Sequence, residues 1–513
     1  MSFMARVQRF FQRQFISLTN LLRVGPFYRD QQVTIEMLSD DILLKIFHHY
    51  LYPSSQIWPT FTHVCRSWRQ IVLRYPLGLD LRLYCTYGTP IQKTLDYWPT
   101  FPLVVNYGGF PGLNPPVLKE DDNIIAALKQ SSRVSCIRLT VTSSLIEQLP
   151  AITEPLLELE ELVLLSQENV QLTLPGTFRW GSRLRTLRST RVAIPSFPQL
   201  LSPCHDLIDL QLHEIPSVGY FSPEAFVNAL SGATNLRNLS LHFLSFPSRR
   251  KYLSLPPPSE ERVLLPALTV FKYRGASKYL DSFVARIDAP RLGDIDIAFF
   301  SQPTMDVFQL GRFIGRIETQ IPLSRAEVQL SVHAISVAFL GQSTAKPLRL
   351  QVPCKQLDWQ LSLMAQICNH FPSFLSHVED LCINSTRSPH AEDAIAGEQW
   401  LELIRAFSGA KDLDVTGVHV TDILGALRPT DGGHTAETVL PTLRSLRVIH
   451  EDKLVDMPSW EAAKSFLASR QLSGHPVELY AYTSCHICHA RFIGKEKLKR
   501  HLVDTHFTEF QLR

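Results

Sequence analysis

No stretch of this 513-residue chain approaches 18 consecutive apolar residues, so no segment reads as a membrane-spanning helix. Net charge is almost absent too. Fifty-one Lys+Arg against 48 Asp+Glu leave +3, too little for a global field that would hold a polyanion. Glycine is scarce, 23 residues against 34 prolines, which argues against glycine-rich nucleotide folds and for many short elements with Pro-marked joints. The nucleophile elbow, the P-loop, the dinucleotide fingerprint and the HExxH pair are missing. No other spacing sets a general acid beside a general base, so the sequence reads as a non-enzymatic protein with no catalytic residues. Disulfide chemistry is poorly supplied: seven of nine cysteines are scattered (Cys65, Cys85, Cys136, Cys204, Cys354, Cys368 and Cys382), the pattern of an intracellular, reduced protein. The glycosylation triplet Asn384-Ser385-Thr386 then has no consequence.

What is present is apolar material, 45% of residues against 19% charged, enough for a large core and more than one domain. Residues 1–30 stand apart. They hold five arginines (Arg6, Arg9, Arg13, Arg23 and Arg29) and no acid before Asp30. Phe3, Val7, Phe10, Phe11, Phe15 and Leu18 recur at spacings that predict a basic amphipathic helix. No continuous apolar stretch marks a secretory signal. The composition also fits mitochondrial targeting or a helix on an anionic membrane, as alternatives to packing on its own protein.

Residues 33–78 read as three short helices. Ser39 or Asp40 caps the first, whose apolar face holds Leu43, Leu44, Ile46 and Phe47. Pro59 opens the second, with Phe61, Val64, Cys65 and Trp68 as an apolar stripe. So small a unit has a marginal core, and its surplus apolar side chains await another element or a partner.

This segment resembles the F-box, in the version found in basidiomycete fungal F-box proteins. Leu38-Ser39 stands where the family has leucine-proline, Ile46-Phe47 matches its isoleucine-phenylalanine pair, and Trp58 its inner tryptophan. Val64-Cys65-Arg66 and Trp68-Arg69 match its closing signature, and residues 79–105 are similar to the family's continuation. Loss of the proline removes a rigid start to the first helix but none of the apolar positions. The resemblance implies docking on a Skp-type adaptor and, through it, on the cullin scaffold of an SCF-type cullin-RING ubiquitin ligase. It makes Leu38, Leu43, Leu44, Ile46, Phe47, Val64 and Trp68 the adaptor-binding set, some touching the adaptor and some supporting the fold. The chain would then be a substrate-recognition subunit for an unidentified protein.

Residues 79–470 read as a strand extension followed by irregular repeats. Leu79, Leu81 and Leu83 alternate with Asp80 and Arg82, and Leu103-Val104-Val105 forms a second run. Beyond them an apolar residue is followed three and five places later by two more. The clearest copies are Val134/Ile137/Leu139, Leu159/Leu162/Leu164, Leu207/Leu210/Leu212, Leu236/Leu239/Leu241 and Leu292/Ile295/Ile297. Later copies are Val378/Leu381/Ile383 and Leu443/Leu446/Val448. Central positions 137, 162, 187, 210, 239, 271 and 295 lie 23 to 32 residues apart, which suits one strand and one return segment. That is a divergent leucine-rich repeat, mostly without its usual asparagine, with helical returns expected at 222–234 and 397–410. An α/β solenoid follows, matching the resemblance. A compact α/β barrel is disfavoured by the uneven gaps. Exposed loops are expected at 245–262, with Arg249-Arg250-Lys251 and three prolines, and at 384–396 and 428–437.

Residues 480–508 carry Cys485, Cys488, His501 and His506 in the spacing C-x2-C-x12-H-x4-H. With Phe492 and Leu498 in the apolar positions, the segment resembles a ββα zinc finger of the two-cysteine, two-histidine kind holding structural Zn. Lys497 and Arg500, with Gly494, fall at that family's base-facing positions. A single finger neutralises few phosphates, so a protein contact or a cap on the solenoid is as open as nucleic-acid binding. The alternative function is a nucleic-acid-associated or scaffolding repeat protein. Either reading places the chain in the cytoplasm, the nucleus or both.

Overall fold

The computed structural model describes residues 38–51, 58–76, 78–88, 91–98, 101–108, 120–168, 170–246, 262–317, 323–341, 348–386, 397–417, 419–428, 439–450, 457–484 and 491–493. The chain divides into two compact units, Met1–Cys85 with Gln92–Val104, and Thr86–Ile91 with Val105–Arg513.

In the first unit, helices run over Asp40–Leu51, Trp58–Thr62 and Arg66–Arg74. The Ser39 carbonyl accepts from the Ile42 and Leu43 amides, and Asp40 and Asp41 in the first turn suit the helix dipole. Leu43, Phe47 and Leu51, four residues apart, form the buried stripe of this helix. Phe47 stacks on Phe61 at 4.9 Å and meets the edge of Trp68 at 4.7 Å, so the core here is largely aromatic. Trp58 donates from Nε1 to the Arg82 carbonyl at 2.8 Å and lies edge-on to Trp98 and Phe101.

Two details depart from the sequence reading. The apolar stripe beginning at Pro59 is not one helix. Cys65 adopts extended backbone and its Sγ accepts from the Trp68 amide, so Val64 and Cys65 form a break before the third helix. Nor do Leu79, Leu81 and Leu83 share a strand. Asp80 sits at φ 46°, outside strand geometry, and only Leu83–Cys85 (β1) is extended; Leu79 and Leu81 are buried in the turn before it. The run from Leu103 does form a strand, Leu103–Tyr107 (β2).

The second unit is a ladder of strands with helical and irregular returns. Its strands are β3 (Val134–Thr140), β4 (Glu161–Leu165), β5 (Leu172–Thr173), β6 (Thr186–Thr190), β7 (Val192–Ala193), β8 (Asp209–Ile215) and β9 (Asn238–Phe243). They continue with β10 (Val263–Leu264), β11 (Val270–Gly275), β12 (Ile287–Asp288), β13 (Asp294–Phe299), β14 (Leu323–Leu330), β15 (Ala334–Gly341) and β16 (Leu348–Pro353). Last come β17 (Asp380–Ser385), β18 (Asp412–Gly417), β19 (Ser445–His450), β20 (Glu478–Ser484) and β21 (Arg491–Ile493).

The repeat's central positions stack in register. Ile137 lies beside Leu162, then Leu187, Leu210, Leu239, Phe271, Ile295 and Leu348, all in parallel pairs. A second series runs Ala326, Leu381, Leu413, Leu446, Leu479. Every residue of both series is buried, apart from Leu479 near the end. The rungs are tied at their starts as well: Arg185 donates to the Glu160 carbonyl, Ile208 to Arg185, Arg237 to Ile208 and Thr269 to Arg237. Within the second unit the pairings run in one line from β3 to β21, and among the described residues none joins β21 back to the start, so the architecture is a mostly parallel repeat solenoid rather than a closed barrel. The helical returns at 222–234 and 397–410 appear as Pro223–Leu230, capped by the Ser222 hydroxyl on the Ala225 amide, and Gly397–Arg405. Repeats approach closely at their joints. A Cβ on Gly409 would sit 2.0 Å from the Ser376 carbonyl oxygen of the preceding repeat. Gly417, at φ +98°, would meet the Ser385 carbonyl at 2.2 Å.

The regular order fails once. β13 pairs with β16, which is antiparallel to β15, which is antiparallel to β14, which then pairs in parallel with β17. Nothing in the three-and-five pattern announces this insertion, because Ile335, Val337 and Phe339, like Leu348, Leu350 and Val352, alternate with period two. The ladder also outruns its expected limit at 470. β20 continues it in parallel from β19, and β21 folds back antiparallel on β20. The loop expected at 384–396 starts later, since Asn384 and Ser385 belong to β17. Residues 247–261, 387–396 and 429–437 lie outside the described residues, as do 1–30.

Candidate functional site

Burial sorts the residues assigned to adaptor binding. Leu43, Phe47 and Trp68 are core, at 3%, 0% and 5% exposure. Leu38, Leu44 and Ile46 are half-buried, while Val64, in the break before the third helix, is 55% exposed. Sequence reasoning missed Ile42, which is 46% exposed. The signal was available: Ile42, Ile46 and Tyr50 repeat every four residues, one position out of step with Leu43, Phe47 and Leu51. The first helix therefore carries two apolar stripes, one buried and one on its outer side.

On the ladder, alternate positions turn away from the covered core and form an open face. Ion pairs cross its rungs: Arg138 binds both oxygens of Glu161 at 2.8 Å, and Arg188 meets Asp209 at 2.6 Å. Burial pushes Glu161 up, but Arg138's hydrogen bonds and charge outweigh it and hold the carboxyl below its ordinary value. On β17–β19, Arg447 lies 2.9 Å from Asp414, and burial raises the Asp414 carboxyl against that attraction. Asp380 is raised by burial and by its hydrogen bond with Asp412.

Between these ends sits a different group. His213 of β8 and His242 of β9 stack at 4.4 Å with 11° between their planes. The Ser240 hydroxyl lies 2.9 Å from His213 Nε2 and 3.4 Å from His242 Nε2. Burial, then His213 and the cations Arg274 and Lys272, push the His242 imidazole down to about 4; burial likewise lowers His213. Both shifts favour the uncharged imidazole.

Among the described residues no group of three or more His, Cys, Asp or Glu is placed to hold a metal. Burial pushes the thiols of Cys204 and Cys382 up to about 11 and that of Cys368 up to about 12, leaving them inert as nucleophiles. A cavity lined by Ser189, Phe197, Leu212, His213 and Phe221 measures about 10 Å³, room for roughly one water and far below a small-molecule site. No described helix is long and apolar enough to cross a membrane. Cys485, Cys488, His501 and His506, with Lys497 and Arg500, lie outside the described residues.

Comparison with protein-family profiles finds no match, and comparison with curated protein sequences finds none either. Among solved structures, the chain is similar to the crystal structure of a TLR13–ssRNA13 complex, at 13% identity over 74% of this chain and 47% of that one. The chain thus spans about half the length of that structure, and with a TM-score of 0.28 the likeness bears on neither ligand nor activity.

Proposed function

We propose that this chain is a non-enzymatic substrate-recognition subunit of an SCF-type cullin-RING ubiquitin ligase. Residues 38–74 hold a Skp-type adaptor, and the open ladder face holds a protein substrate in the cytoplasm or nucleus. One observation carries the reading. The small core is already filled by Leu43, Phe47, Leu51, Phe61 and Trp68, yet Ile42, Ile46 and Val64 remain wholly or partly outside it. Covering such side chains gains about 25 cal/mol per Å² of apolar surface, which a partner supplies. A substrate held by the same chain as the adaptor meets the ubiquitin-loaded enzyme at a raised effective concentration.

The test is co-purification of the adaptor with full-length protein, wild type against Ile42→Asp and Val64→Asp. Both changes lie on exposed positions, so the helices keep their protection from hydrogen exchange while adaptor affinity falls tenfold or more. A folded wild-type chain that binds no Skp-type adaptor ends the proposal.

A smaller proposal concerns Cys485, Cys488, His501 and His506. Two thiolates and two imidazoles are a donor set that suits tetrahedral zinc. In this reading zinc holds the chain that connects to and follows the β20–β21 hairpin. One zinc per chain is expected by elemental analysis, dropping to none in Cys485→Ser. Chelation should speed amide exchange in β20 and β21 while leaving β3–β13 unchanged, since structural zinc contributes on the order of 10 kcal/mol in comparable peptides.

A further inference from the structure

Lys272 and Arg274 sit two residues apart on β11, both exposed on the open face beside the stacked imidazoles of the neighbouring rungs. Among the described residues neither is ion-paired, in contrast to Arg138, Arg188, Arg191 and Arg447 elsewhere on the ladder. The Ser240 hydroxyl, shared between the two imidazoles, pairs in register with Gln211 on one side and Lys272 on the other. Donors and cations thus converge on adjacent strands, roughly 4.8 Å apart. We propose that His213, His242, Lys272 and Arg274, the two imidazoles held in place by the buried Ser240 hydroxyl, form an oxyanion-recognition site for carboxylate side chains of an extended acidic peptide.

Geometry selects the peptide. Side chains at positions 272 and 274 stand roughly 6.8 Å apart along the strand, the same repeat as alternate residues of an extended chain. Acidic residues at every second position therefore match them. Surroundings exclude the other obvious polyanion. Asp209 and Glu214 lie on β8, and Asp294 and Asp296 on β13, so carboxylates bound the cationic stretch on both sides. A nucleic-acid backbone would carry its next phosphates onto them, and the net +3 of the chain offers no compensating field. The site rests on the ladder face alone, so its failure and failure of adaptor binding are separate results.

The stack makes binding proton-coupled. Two imidazolium rings 4.4 Å apart would repel, and Arg188, Lys272 and Arg274 add to that, while Asp209 and Glu214 only partly offset it. The free site therefore disfavours the charged form at both His213 and His242. A bound carboxylate favours the charged form and raises their pKa, so binding takes up a proton. The sign follows: affinity climbs as pH falls from about 7.5 toward 5, and turns over below that as the peptide's own glutamates, with an ordinary pKa of about 4.3, take up protons.

The experiment is fluorescence anisotropy with the full chain and a labelled peptide alternating glutamate and serine, at low salt. Replacing glutamate by glutamine should weaken binding at least tenfold, as should the Lys272→Gln/Arg274→Gln variant. Affinity should rise several-fold from pH 7.5 to 5.5, and His213→Asn/His242→Asn should abolish that rise while keeping a polar partner for Ser240. Equal binding of the glutamine peptide, unchanged affinity in the Lys272/Arg274 variant, or tighter binding of a single-stranded oligonucleotide would each overturn the assignment.

Discussion

Phe47→Ala is expected to unfold the three-helix unit and, with it, to abolish the adaptor binding proposed above. The phenylalanine is fully buried and is the ring on which both Phe61 and Trp68 pack. Removing such a side chain costs about 3–5 kcal/mol. Residues 38–74 have few other buried side chains with which to absorb that loss, and small cores leave little margin. Hydrogen exchange followed by mass spectrometry checks the outcome. Peptides from 40–74 should lose protection, while those from β8 to β13 keep theirs. Set beside Ile42→Asp, which is expected to remove binding and leave protection, the pair separates a contact residue from a supporting one. Trp68→Ala, 5% exposed, should behave like Phe47→Ala. Native-like protection in both variants would mean that the aromatic cluster does not hold the helices together.

A second large effect is expected at the middle of the ladder. Phe271 is fully buried, lies in register between Leu239 and Ile295, and has the Phe283 ring 5.8 Å away. Phe271→Ala should cost about 3–5 kcal/mol. In a repeat array each unit touches mainly its neighbours, so the damage should remain local. Exchange should quicken in β9, β11 and β13 and stay near wild type in β18 and β19. Uniform loss of protection from β3 to β20 would show that the whole ladder unfolds as one cooperative body, contrary to this expectation.

Much of the ladder was legible because its pattern is redundant. An apolar residue with two more at three and five places on recurs so often that Ile137, Leu162, Leu187, Leu210, Leu239, Phe271 and Ile295 could be aligned from spacing alone, and they stack in that register. The antiparallel insertion was invisible because its alternating residues resemble any half-buried strand. The break at Val64-Cys65 escaped notice because it depends on a sulfur capping an amide, which composition does not announce. The open face was the least legible part. Its chemistry lies in residues such as His213 and His242, 29 positions apart in sequence and joined only by strand register. Ile42 was in plain view but was masked by its neighbour Leu43, since two stripes one residue out of step look like a single apolar helix. The adaptor and zinc assignments rest on resemblance, in the motifs of residues 38–69 and 485–506.

The reversed order of β14, β15 and β16 has a consequence for how the chain is made. Synthesis proceeds from the amino terminus, and each completed strand of the early ladder can be covered by the next to emerge. At β13 that progression halts. Its partner is β16, the last of the three inserted strands, so the far edge of Asp294–Phe299 stays bare for roughly fifty residues of translation, several seconds at ordinary speeds. A naked strand edge of that kind is an invitation to pair with other nascent chains. Chaperone capture and ribosome pausing should therefore concentrate at lengths between β13 and β16.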